Sequence, residues 1–389
     1  VQTCALPILE HVLPMSFDQD MARLVQNHIQ ENGVQVRCSE RVIRIAGTPE
    51  SGVEAVETDK GTIPCDLVIL AVGVRPNSQL AREAGLAVGA FGGIIVDQRM
   101  QTSDPSIYAG GDCVEIPNLV SGHRMPLYLG SLANRQGRII GTNLAGGSAT
   151  FPGAVGNFCL KMFEIGVASA GLTSASARRA GFDPVASVVV QSDRAHFYPT
   201  NQLMYLRLIA DRTSRRVLGI QAVGGQGDAV KARVDAVAAA MHSRASVADI
   251  ACLEVAYAPP FASAMDIVNN AANALENILN GFNDPIDATE FLHRLEHGEG
   301  RVLDVRGTKE SQPFVDRFGE HWLNIPQAEL GARIKEINPD EPLMLLCDTG
   351  PRSYEAQLVL RANNITKTKN LQGGFGMIKA SAPDFVPRT

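Results

Sequence analysis

Residues Leu67 to Val72 of the stretch Asp66–Gly73 (DLVILAVG) are apolar without a break. With no alternation of polar and apolar positions, such a strand has no face to leave in water. It reads as a strand buried on both sides, the habit of a parallel α/β sheet covered by helices. The flanking segments suit such a unit. Ser16 is placed to cap a helix in which Met21, Leu24, Val25, His28 and Ile29 share a face, and Gly33 can end it. Short β-like runs come next at Val34–Cys38 and Val42–Ala46, and Val53–Ile63 reads as a hairpin turning at Asp59-Lys60-Gly61. Beyond the apolar run, Ile107–Asp112 reads as a strand entering a glycine turn, with a helix over about Leu129–Leu144.

From Phe151 the pattern changes. Strand-like runs at Val185–Val190, Leu203–Ile209 and Val217–Val223 precede helices at about 228–242 and 262–280, the order of an α+β domain. Gly281-Phe282-Asn283-Asp284-Pro285 reads as a linker, and past it β and α segments alternate again. A chain of 389 residues suits about two to four domains.

A net charge of −6 argues against a broad nucleic-acid surface. No apolar run approaches the ~20 residues of a membrane span. Seven cysteines without a CxxC pair form no disulfide framework, which fits a reducing cytoplasm. The opening Val1–Ile8 (VQTCALPI) lacks an initiator Met and fits poorly with the residues after it. It reads as an artefactual junction, an adapter scar on a truncated frame, and is set aside together with Cys4.

The most specific local pattern is Leu343-Met344-Leu345-Leu346-Cys347-Asp348-Thr349-Gly350-Pro351-Arg352-Ser353. An apolar strand delivers a cysteine into a short loop, and a helix begins at about Ser353. Backbone N–H groups and a helix N-terminus then aim at the sulfur and favour a thiolate or persulfide. Arg352 adds a positive charge at the rim. The segment resembles the active-site loop of the rhodanese family, CxxGxR[ST], across Asp348, Thr349, Gly350 and Ser353. Val302–Arg306, Asn324-Ile325-Pro326 and Leu371–Phe375 stand where that family has supporting motifs. Related phosphatases carry a longer loop, so sulfur chemistry on Cys347 is implied. Pro351 departs from the pattern by removing one N–H donor. The plainer alternative is a packed structural cysteine.

Residues 9–284 resemble the pyridine nucleotide-disulfide oxidoreductases, in the CoA-disulfide reductase and NADH oxidase branch. Asp66–Asn77, with Gly73, is similar to the strand leaving the family's nicotinamide-binding domain. Thr102–Asp112 (TSDPSIYAGGD) is similar to its second FAD motif, and Ala133–Arg138 to the helix passing near the flavin. Gly110, Gly111, Asp112 and Ala133 are thereby implied in FAD binding, the glycines for close approach and Asp112 for the ribityl hydroxyls. His196-Phe197-Tyr198-Pro199 and Ala256-Tyr257-Ala258-Pro259-Pro260-Phe261 resemble segments that place Tyr198 and Tyr257 beside a disulfide substrate across a dimer interface. Val230–Asp235, with Lys231 and Arg233, matches a stretch whose basic residues fit CoA phosphates. The family's GxGxxG loops and its N-terminal redox cysteine do not occur in this chain.

The expected fold class is α/β: remnants of FAD- and NAD(P)-binding Rossmann-like domains, an α+β dimerisation domain and a C-terminal α/β rhodanese domain. The implied divisions are 1–8 (junction), 9–75 (NAD(P)-binding), 76–150 (FAD-binding), 151–284 (dimerisation) and 286–389 (rhodanese). The implied activity is FAD-dependent, NADH- or NADPH-driven reduction of CoA disulfide, CoA persulfide or polysulfide, in a homodimer. An NADH oxidase with an incidental rhodanese unit and a non-catalytic persulfide carrier are the alternatives. His293 and His297, four apart, have metal-compatible spacing but no third ligand, and no metal site is assigned. Cys113 has no partner cysteine nearby and reads as a packed small residue.

Overall fold

The computed structural model describes residues 3–5 and 9–387. Of the opening segment, only Thr3–Ala5 is described; it forms β1 and pairs in parallel with β2 (Val34–Val36). The helix between them, α1 (Gln19–Glu31), has Asp18 and not Ser16 at its N-cap position, and the Asp18 side chain makes no capping bond to the helix. Ser16 is spent in a turn whose N–H donates to Leu13 O, and Asp18 sits where Gln221 and Ser174 hold its carboxylate. A meander of β3 (Val42–Thr48), β4 (Gly52–Thr58) and β5 (Gly61–Pro64) contains the expected hairpin.

The apolar run then departs from expectation. Residues 67–78 form no strand. Leu67, Ile69, Leu70 and Val72 are 76%, 82%, 71% and 91% exposed. A strand exists only where neighbours take its N–H and C=O groups, and among the described residues none pairs with this run. After it come α2 (Gln79–Glu83), the small sheet β6 (Ile94–Ile95), β7 (Val114–Pro117) and β8 (Arg124–Met125), and α3 (Gly130–Leu144). The strand expected over 107–112 is reduced to one bridge, Gln101 to Tyr108.

The central body is a five-stranded antiparallel sheet of β9 (Phe158–Met162), β10 (Ile165–Gly171), β11 (Pro184–Ser192), β12 (Leu203–Asp211) and β13 (Val217–Gly224), in the order β11-β12-β13-β10-β9. A short helix α4 (Ser174–Arg179) precedes β11. One face, with Leu206, Leu208, Ile220 and Ala222, packs on α5 (Gly227–His242), α6 (Val247–Ala251) and α7 (Ile267–Leu279). The other face, with Val167, Val188, Val190 and Val223, is covered by α1 and by helices from the C-terminal unit. Every residue of β13 is therefore buried.

The C-terminal unit is a parallel sheet, β14-β18-β17-β15-β16, of Pro285–Ile286, Thr368–Leu371, Leu343–Leu346, Arg301–Asp304 and Trp322–Asn324. It carries α8 (Ala288–Glu296), α9 (Thr308–Phe318), α10 (Pro351–Ala362) and α11 (Gly374–Ser381). On β17, Met344 and Leu346 enter the core shared with α1, while Leu343 and Leu345 enter a second core with Leu303 and Leu360. This is the two-sided burial expected of a central parallel strand.

Candidate active site

Cys347 directly follows the last residue of β17, Leu346, at the carboxyl edge of its sheet, where open α/β sheets place their reactive groups. The residue is 1% exposed. Gly350, at φ +108°, turns its N–H onto Cys347 Sγ at 3.1 Å, and the Ser353 hydroxyl donates to the same sulfur at 3.3 Å. Helix α10 starts at Pro351, two residues before the expected Ser353, with proline at the first helical position. Pro351 offers no N–H, and the cradle rests on Gly350 and Ser353. Arg352 forms an ion pair with Asp348 across the mouth of the loop. Burial, with the charge of Glu310, pushes the Asp348 carboxyl above its ordinary range, while Arg352 and Arg306 oppose the shift.

The flanking motifs converge on this loop. Phe375 N–H donates to Cys347 O and Gly376 N–H to Asp348 O, each at 2.8 Å. Gly374 lies at φ +57°, and a β-carbon there would stand 2.5 Å from Cys347 O, so only glycine fits. Asp304 holds Arg306 through a buried ion pair of 2.7 Å, and the guanidinium lies 4.2 Å from the Phe375 ring centre. Asn324 Nδ2 donates to the carbonyls of Asp304 and Arg306, at 2.9 and 3.0 Å. Trp322 Nε1, which the sequence did not single out, donates to Asp304 and Ser311. Only its being the sole tryptophan could have drawn attention to it.

A second feature lies on the central sheet. Tyr257, about half exposed, lines a cleft of about 330 Å³ together with Gln191, Ser192, Ala195, His196 and Phe197. Tyr198 is partly buried and is not part of that lining, although its N–H donates to Ala195 O at 2.8 Å. Arg233 corrects the expectation of a basic group open to phosphates. It is buried, pairs with Asp266 at 2.8 Å, and donates to the carbonyls of Asp193 and Phe261, at 3.0 and 3.2 Å. It thus ties together the two loops that carry the tyrosines. Lys231 is exposed and paired with Asp235.

The residues expected around FAD divide. Gly110 is crowded by α3, where a β-carbon would meet Ile140 at 3.0 Å and Gln136 at 3.3 Å. Gly111, at φ +85°, donates its N–H to Gln136 Oε1 at 2.7 Å, and Ala133 of α3 lies against it. Both glycines therefore serve the packing of turn on helix. The exposed Asp112 carboxylate accepts no hydrogen bond from the described residues, which leaves it free for a hydroxylated ligand. Gly73 stands apart in the extended segment, at φ +89° and with open space where a β-carbon would go. Among the described residues, no group of three or more His, Cys, Asp or Glu is placed to hold a metal, and no helix is long and apolar enough to cross a membrane.

Three family models match the chain in succession: pyridine nucleotide-disulphide oxidoreductase over residues 4–125, the dimerisation domain of that family over 159–268, and rhodanese-like domain over 287–381. The structure of an NAD-dependent persulfide reductase from A. fulgidus superposes with a TM-score of 0.89 at 37% identity, over 97% of this chain and 67% of that one. The chain belongs to the pyridine nucleotide-disulphide oxidoreductases that carry a rhodanese-like domain. Reduced Bacillus anthracis CoADR-RHD gives a TM-score of 0.88 at 32% identity, over 99% of this chain and 67% of that one. An "NAD(P)H sulfur oxidoreductase (CoA-dependent)" of Pyrococcus abyssi is 35% identical over 257 residues, 66% of this chain and 56% of its own. The chain therefore spans little more than half the length of that relative. Its match to the first family model begins at residue 4, inside the segment set aside as a junction.

Proposed function

We propose that this chain is the sulfur-loading and dimer-forming part of an NAD(P)H-dependent CoA-persulfide or CoA-disulfide reductase. The observation that carries the reading is Cys347 Sγ held 3.1 Å from the Gly350 N–H at the start of α10. An anion at that sulfur is met by a backbone donor, the Ser353 hydroxyl and the positive end of a helix. Thr349 completes the loop. The Cys347 thiolate attacks the outer sulfur of a persulfide or thiosulfate donor. The donor's S–S bond breaks, its thiolate or sulfite leaves with the electron pair, and Cys347 is left as a persulfide. Arg352, loosened from Asp348, would receive an anionic donor at the mouth.

Bound FAD would supply the two-electron reduction by NADH or NADPH. Asp112 is the residue of this chain best suited to hold it, by accepting hydrogen bonds from ribityl hydroxyls, with Gly110, Gly111 and Ala133 shaping the turn and Gly73 on the neighbouring segment. Tyr257, with Tyr198 on the facing loop, would donate a proton or hydrogen bond to a leaving CoA thiolate in the cleft of a homodimer. The redox cysteine and glycine loops that such an enzyme needs would lie in the part of the relatives' length that this chain does not span. The divisions near residues 75, 150 and 285 belong to the same reading. Matches to curated NADH oxidases leave oxygen as the other electron acceptor. Turnover with CoA persulfide against oxygen separates the two.

Intact-mass analysis after thiosulfate or CoA persulfide treatment tests the loading step. A gain of about 32 Da, one sulfur, on the parent and not on Cys347→Ala is expected. No gain on a folded parent would sink the sulfurtransferase reading.

A further inference from the structure

The segment that holds the cysteine loop is itself fastened to the central sheet. β11 is an edge strand, so one side of its backbone has no sheet partner. On that side the Val188 N–H donates to Gln372 Oε1 at 2.7 Å. Gln372 comes from the C-terminal unit, where its own N–H donates to Ile286 O at 3.0 Å on β14. The next residues are packed closely on the same strand. A β-carbon at Gly373 would meet Val190 Cγ2 at 3.0 Å, and one at Gly376 would meet Val190 Cγ1 at 3.3 Å. Phe375 and Gly376 are the residues whose N–H groups hold the carbonyls of Cys347 and Asp348. Beyond Val188, β11 carries Val190 and then Gln191, which lines the Tyr257 cleft with Ser192.

We propose that Gln372 is a positioning residue: its side-chain amide latches the Cys347 loop to the edge of β11, on the strand that also lines the tyrosine cleft. The inference rests on the reading of Cys347 as a sulfur-loading thiol. Gln372 touches neither substrate nor sulfur. It acts through Gly373–Gly376, which fix the loop carbonyls and so the aim of the Gly350 N–H and Ser353 hydroxyl. Losing the acceptor also leaves the Val188 N–H unpaired at a tightly packed junction, where restoring the bond requires the loop to return to its register. The loop and the cleft are thereby held in one frame: within the core that the sheet and the C-terminal unit share, this hydrogen bond and the close approach of Gly373 and Gly376 to Val190 fix the register of the cysteine loop against the strand that lines the cleft.

The test is the time course of sulfur loading on the full chain with thiosulfate, read by intact mass, for the parent, Gln372→Leu and Gln372→Glu. Leucine keeps the bulk and removes the acceptor; glutamate keeps an oxygen that can accept from Val188. A positioning role lowers the loading rate constant of Gln372→Leu about tenfold with full final amplitude, since small misplacements of reacting groups act on rate. Glutamate restores a rate near that of the parent. A purely structural role lowers the amplitude by unfolding part of the sample and leaves the rate constant unchanged, and that result overturns the proposal. So does a glutamate variant as slow as leucine. Should Gln372→Leu not fold, Gln372→Asn, one methylene short of Val188, carries the same comparison of rate against amplitude. A parent that never gains sulfur takes down the sulfurtransferase reading, and the latch with it, whereas a parent that loads normally beside a normal leucine variant removes the latch alone.

Discussion

Two apolar runs in this chain look alike on paper and end in opposite environments. Leu343–Leu346 lies in a parallel sheet between β15 and β18 and is buried throughout, with alternate side chains entering two cores. Leu67–Val74 lies in extended chain with most of its large side chains in water. Composition does not separate them. Neighbours do: one run has strands on both sides to take its backbone groups, and among the described residues the other has none. An apolar run states a demand for burial, and whether the demand is met is a property of distant sequence.

The comparison breaks most readily at its two centres. Leu345→Asp puts a charge into a fully buried position between strands. The C-terminal unit is expected to lose its fold and Cys347 its sulfur loading, as mass analysis and limited proteolysis would show. Leu70→Asp is expected to leave the unfolding free energy of the chain, read from urea denaturation, unchanged within about 0.5 kcal/mol. A comparable loss from both substitutions would mean that the exposed run is packed in solution.

Two glycines, one in the cysteine cradle and one in the exposed run, sharpen the same contrast at smaller scale. Gly374→Ala forces a β-carbon against Cys347 O, at 2.5 Å, and is expected to cost about 1–3 kcal/mol and slow sulfur loading. Gly73→Ala meets open space, and its cost is limited to the positive φ, about 1 kcal/mol. Urea denaturation and then the loading assay distinguish the two. The smallest effect is on the surface. Leu70→Asp combined with Val72→Asp is expected to reduce binding of a dye such as ANS without changing the rate at which Cys347 loads; unchanged dye binding would show that the run is already covered.

Legibility in the sequence divides along the same line. The cysteine cradle was legible because strand, loop and helix lie within about a dozen consecutive residues and the chemistry is made locally. Gly374 was legible as part of a motif, though its reason, the approach of Cys347 O, needs the fold. Arg233 was misread as a ligand for phosphate because its partners, Asp266 and two carbonyls, lie 28 to 40 residues away in sequence. The start of α1 moved from Ser16 to Asp18 for a comparable reason: Ser174 of α4 and Gln221 of β13 hold the Asp18 carboxylate from a distant part of the sequence. The role of Gln372 could not have been found at all, since its one informative contact crosses 184 residues to an edge strand.

Helix α1 belongs by family match to the first part of the chain, yet its core residues Met21, Leu24, Val25 and Ile29 sit against the central sheet and the C-terminal unit. Arg207 of β12 binds Asp20 at 2.6 Å and Asp18 at 3.3 Å, and Asn27 donates to Ala380 O at 2.8 Å. A protease that cuts the exposed stretch 66–77 would therefore sever the covalent thread without freeing the piece before it. The nicked halves should travel as one species on a sizing column and part only in denaturant, so that the polypeptide's continuity and the particle's integrity become separate properties.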